Sequence, residues 1–155
     1  MVSVNGIHVT NGFRLHNWLP EKHIRAKIFF AMQTINWNQI CALASREIEN
    51  TLSRLPKQLR ERAVALPVTF EPRPNPEMQA DGIEADTLGL FTGPELAEEG
   101  MIPMPPQIIL FLENIREMVE NDETAFREEV ATTFLHELGH YLGLDEDDLI
   151  DRGLE

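Results

Sequence analysis

Residues 121–143 read NDETAFREEVATTFLHELGHYLG, from Asn121 to Gly143. Phe126, Val130, Phe134, Leu138 and Leu142 recur at steps of four, the spacing of one apolar helix face. Asn121 and Asp122 break the preceding pattern and offer an N-cap. Gly143 stands where a chain leaving a helix favours a left-handed residue. The spacing therefore predicts a helix from about Glu123 to Leu142. Within it lies His136-Glu137-Leu138-Gly139-His140. Four residues is just over one turn, so both imidazoles project from the same face, close enough to share one metal ion. Zinc accepts imidazole nitrogen readily, and a catalytic zinc uses three protein ligands with one position left open. Glu137 sits at the side of that face. Its carboxylate can take a proton from a water at the metal and return it to a leaving amine, the work of a general base.

The apolar neighbours Leu135, Leu138 and Leu142 place these three ionisable groups on a helix with a buried face. Buried without partners, they would cost several kcal/mol; a bound metal removes that cost. Gly139 lowers helix propensity by about 1 kcal/mol relative to Ala, which points to close packing there. A third ligand is expected after Gly143, where the chain can fold back under the metal. Glu146, six residues after His140, is the first candidate, with Asp145 and Asp147 as alternatives; Asp147 and Asp148 read better as solvated surface. His8, His16 and His23 read as bystanders. Tyr141, the only tyrosine, reads as a packing residue.

Outward from this helix, Gln107-Ile108-Ile109-Leu110-Phe111-Leu112 is apolar on both faces and predicts a central strand. Thr87–Gly93 predicts a second strand whose glycines admit close neighbours. Val64–Phe70 predicts a third, with Pro67 near its beginning or at an edge. Ile40, Leu43, Ala44, Ile48, Leu52 and Leu55 mark an apolar face on a helix from Trp37 that Pro56 ends. Cys41 lies beside that stripe as core packing. Lys57–Arg62 adds a turn, residues 71–86 read as a loop, and Ile115, Met118 and Val119 indicate a short helix. The order, helix then strands then helices, is that of an α+β domain: a small β-sheet packed against helices. Residues 1–36 show no helical or strand period and read as an irregular arm, with the domain proper at 37–155.

The chain has 155 residues, long enough for one domain. Its hydrophobic content of 43% and charged content of 25% exclude wholesale disorder. Net charge is −13, and residues 77–155 carry −18 of charge against +5 in residues 1–76. Such an acidic balance argues against nucleic acid and anionic membranes as partners. The lone Cys41 excludes an intrachain disulfide and a multi-Cys zinc site, and fits a reducing compartment. The longest apolar run near the N-terminus, Ile28–Met32, is too short for a secretory leader. No stretch approaches the roughly 18 apolar residues of a membrane span. A cytoplasmic protein is expected.

The segment His136-Glu137-Leu138-Gly139-His140-Tyr141-Leu142-Gly143-Leu144-Asp145-Glu146 resembles the zincin-like metallopeptidase family of small bacterial proteins, the minimal zincins. The likeness extends to Pro106–Phe111, to Glu128-Glu129-Val130 and to Thr133-Phe134-Leu135. More loosely it reaches the first helix and Leu55-Pro56, covering about residues 37–153. It implies a minimal zincin-like fold in which the small mixed sheet packs against helices that include the zinc-binding one. It also implies Zn2+ as cofactor, His136, His140 and Glu146 as ligands, and Glu137 as general base. The related metzincin pattern has His where this chain has Glu146. The expected function is zinc-dependent hydrolysis of peptide bonds in a peptide or protein substrate. A shallow cleft with weak selectivity is expected, with the substrate laid along Thr87–Gly93. The competing expectations are a zinc-binding interaction module without hydrolytic activity, and a hydrolase of non-peptide amides.

Overall fold

The computed structural model describes residues 36–98, 104–145 and 147–148. The irregular arm expected at 1–36 thus falls, except for Asn36, outside the described residues. Helix α1 spans Trp37–Arg54. It opens on a capping box in which the Asn36 side chain accepts from Gln39 N and Gln39 Oε1 accepts from Asn36 N. Helix α2 covers Lys57–Ala63. Strand β1, Val68–Glu71, begins one residue after Pro67. Its start lies later than the Val64 expected, because Val64–Leu66 turn off the end of α2 by bonds from their N–H groups to Arg60, Arg62 and Ala63 carbonyls.

Residues 71–86, expected as loop, contain a short helix α3 at Pro76–Ala80. Its origin is local. Asn75 accepts from Met78 N at 2.9 Å, and Pro76 occupies the first helical position, where its missing N–H costs nothing. Strand β2, Gly89–Thr92, is followed by a 3-10 turn at Leu96–Glu98. Strand β3, Gln107–Phe111, runs straight into α4, Leu112–Met118. Glu120 and Asn121 adopt left-handed conformations (φ 52° and 63°). Asp122 then caps α5, Glu123–Tyr141, accepting from Ala125 N at 2.9 Å.

The sheet order is β1-β3-β2, with β1 parallel and β2 antiparallel to β3. Strand β3 is central, as its two apolar faces require: Ile108, Leu110 and Phe111 are fully buried. The sheet packs on α5, and α5 packs in turn on α1 and α4. Phe126, Val130 and Phe134 of α5 are each 0% exposed, so the core sits beneath the helix that carries the two histidines. This is an α+β architecture, a small mixed sheet packed against helices, as the order of elements in the sequence implied.

One polar residue ties the loop before β2 to this frame. Asn114 on α4 is buried. Its Nδ2 donates to the Ala85 and Thr87 carbonyls at 2.8 Å each, and its Oδ1 accepts from Arg73 Nη1 at 3.0 Å. Arg73 also pairs with Glu117 and, at 3.4 Å, with Glu113. The hydrogen bond that Arg73 donates to Glu117, with the negative charge of Glu117 and Glu113, raises the pKa of the guanidinium above its ordinary value. Leu88 and Gly89 are thereby delivered to the face of α5.

Candidate active site

Helix α5 is buried on two sides. Phe126, Val130, Phe134, Leu138 and Tyr141 face the core, while Thr133 and Glu137 are covered from the direction of β2. A Cβ on Gly89 would stand 2.6 Å from Thr133 Cγ2 and 2.8 Å from Glu137 Oε1. Only glycine lets strand and helix approach this closely, so the glycine expected to admit a close neighbour does so at the Glu137 carboxylate. Replacing Gly89 with Ala is expected to destabilise the fold by about 1–3 kcal/mol through overpacking. Denaturant unfolding checks this, and an unchanged midpoint would mean that Thr133 and Glu137 move aside freely.

His136 and His140 lie one turn apart, their Nε2 atoms separated by 3.1 Å and their rings nearly perpendicular, at 81°. Two imidazole nitrogens this close either share a proton or aim both lone pairs at one cation. Nitrogens each about 2.0–2.1 Å from a tetrahedral zinc stand roughly 3.3 Å apart, so the observed separation suits a shared ion. The end of the helix orients one ring. Leu144 N donates to the Gly139 carbonyl and Gly143 N to the His140 carbonyl, both at 3.0 Å, with Gly143 at φ 80°. These are the two bonds of a Schellman ending. The turn carries the Leu144 carbonyl to 3.3 Å from His140 Nδ1. A carbonyl only accepts, so this contact favours the tautomer with the proton on Nδ1 and the lone pair on Nε2. These two nitrogens suit two of the positions of a tetrahedral zinc.

A family model described as zincin-like metallopeptidase matches residues 63–154. The chain belongs to the zincin-like metallopeptidase family. No curated protein sequence matches it. The chemistry of a zincin is zinc-dependent peptidase chemistry, and the match spans the sheet, the histidine helix and the segment after Gly143. Among the described residues no helix is long and apolar enough to cross a membrane.

In this zincin, Glu137 is 7% exposed. It lines a cavity of about 260 Å³ with His136, Thr87, Leu88, Gly89, Glu129 and Thr133. Among the described residues no group of three His, Cys, Asp or Glu side chains gathers as a metal site. Of the candidate third ligands, Glu146 lies outside the described residues, as do His8, His16 and His23. Asp145 and Asp147 are described, and neither joins the histidine pair. Asp145 Oδ1 accepts from Asp148 N at 2.9 Å, the bond of a helix cap. Tyr141 is 3% exposed with its ring tilted against Phe91, centroids 5.9 Å apart, an environment of packing. Burial pushes the Cys41 thiol above its ordinary pKa, away from the thiolate that a reactive cysteine needs.

Sequence reasoning missed Glu129 and Thr133 as lining residues, and Asn114 and Arg73 as the tether of Thr87. Glu129, Thr133 and Glu137 fall at i, i+4 and i+8, so helical spacing from Glu137 could have found the first two. The tether joins residues 27–44 apart in sequence, and no local pattern announces it.

Proposed function

We propose that the protein is a zinc-dependent endopeptidase, with His136, His140 and Glu146 as ligands and Glu137 as general base. The observation that carries this reading is the placement of Glu137. Its carboxylate is buried in a cavity wall beside two imidazoles whose Nε2 atoms converge, and metal binding alone would not require it there. Zinc, when bound, supplies polarisation of the scissile carbonyl and activates water near neutral pH. Glu137 takes the proton of the attacking water and delivers it to the departing amine. The Leu144 carbonyl favours the ligating tautomer of His140.

The strand edge supplies a track for the substrate. Phe111 N donates to the Leu88 carbonyl at 2.8 Å, so Leu88, Leu90 and Thr92 direct their backbone groups at β3. By the alternation of an antiparallel ladder, Gly89 and Phe91 direct theirs at the other edge, which has no strand partner among the described residues. An extended peptide adding there would run past Gly89 and hence past Glu137. Peptide or protein chains are thus the proposed substrates, in a cytoplasmic setting.

The test is hydrolysis of an unbiased peptide library by zinc-loaded protein. A chelator is expected to abolish cleavage and added zinc to restore it. Tight zinc binding with no cleavage of any peptide would favour an interaction module over an enzyme.

A further inference from the structure

The cavity beside Glu137 holds a second carboxylate that the proposed chemistry does not use. Glu129 lies two turns before Glu137 on α5, about 12 Å along the helix. Its Oε1 accepts from Thr133 Oγ1 at 3.1 Å, which turns the carboxylate toward the cavity's other lining groups. Thr133 is itself 6% exposed, so this anchor is fixed. The nearest cation along the helix, Arg127, is engaged elsewhere, with Nη2 2.7 Å from Glu123. No described Lys or Arg forms an ion pair with Glu129. Between the two carboxylates the cavity wall is formed by Leu88, Gly89 and Thr133. The recess therefore has carboxylates at two places, Glu137 beside the histidines and Glu129 two turns away, with Leu88 and Gly89 as its apolar lining.

We infer that Glu129 is a specificity residue that binds the cationic head of a Lys or Arg side chain in the substrate, next to the scissile bond. This rests on the peptidase reading and adds a substrate class to it. Lys and Arg have the required shape: an apolar stem that lies along the wall and a charged head for the carboxylate. The distance also selects them. The α-amine of a residue at the scissile bond is one Cα–Cα step, about 3.8 Å, from its neighbour, too short to span two helical turns; a long side chain added to the backbone reaches. The cavity of about 260 Å³ admits one such side chain. The weak selectivity expected from the sequence thus gives way to a preference at one position.

The test uses zinc-loaded protein carrying Glu137→Gln, so that peptides bind without turnover. N-acetylated peptides with a single Lys, or norleucine, scanned through a neutral sequence are titrated by calorimetry. Lys at one position is expected to bind at least about tenfold tighter than norleucine. Adding Glu129→Gln should shrink that ratio to within about twofold, and Glu129→Lys should turn the preference toward Glu. Equal binding of Lys and norleucine at every position overturns the inference. So does a Lys preference that survives Glu129→Gln, the absence of measurable binding, or a dependence on Glu129 seen only with a free N-terminal amine. Hydrolysis by the unsubstituted protein is scored separately. If it fails while the Lys preference and its loss are seen, the peptidase reading falls and the cation site stands.

Discussion

Glu137→Gln is expected to leave a folded protein that holds zinc and hydrolyses peptides about 10²–10⁴-fold more slowly, the usual contribution of a positioned general base. The substitution keeps the size of a side chain that packs against Gly89 with almost no clearance. It exchanges one acceptor oxygen and the negative charge for an NH2 donor, and with them the ability to accept and return a proton. Metal content and activity therefore separate: zinc per chain stays the same while turnover falls. If both fell together, Glu137 would be acting in the metal site or the fold rather than on the reacting water. If activity persisted, another group would be moving the proton, and Glu129, in the same cavity, would be the first to examine. Stability should change little, because the glutamine makes the same contacts with Thr133 and the strand.

Glu146→Ala is expected to lower zinc affinity by more than the 10–100-fold typical of losing a group that merely supports a ligand, with Asp145→Ala changing it little. The contrast rests on the Asp145 carboxylate, which caps the turn at Asp147 and Asp148 and so has a task of its own. Losing that cap costs about 1 kcal/mol of local stability without removing a donor from the metal. Metal analysis after dialysis against a competing chelator reads the difference directly. Equal retention in the two variants would remove Glu146 from the ligand set. Loss in Asp145→Ala alone would show that the cap, by placing the chain after Gly143, matters more than the carboxylate after it.

The fold was readable where local physics and tertiary demand agree. Helix α5 has its Asp122 cap, its apolar stripe and Gly143 at φ 80°, all set by nearest-neighbour chemistry. Strand β3 is apolar on both faces because it is covered on both. Helix α3 was not readable among three alternating prolines, since its signal is one asparagine and one proline acting over a single turn. At the site, His136 and His140 follow from helical period alone, and so does the placement of Glu137 beside them. The closeness of Gly89 to Glu137 does not, because it depends on the register of β2 with β3, and nothing within Thr87–Gly93 encodes that pairing. Asn114 is the same case, a buried amide whose three partners come from two other segments.

Strand β2 has a second consequence, for solubility. An edge without a strand partner among the described residues would be as open to another copy of the protein as to a guest chain, and unprotected edges are where sheets join into aggregates. Here the strand is only four residues long. It begins with a glycine, which weakens it as a template. The surrounding half of the chain, with its excess of negative charge, repels its own kind. If the proposed substrate track lies there, an edge that is short, weak on its own and electrostatically guarded would favour a visitor of opposite charge over self-association.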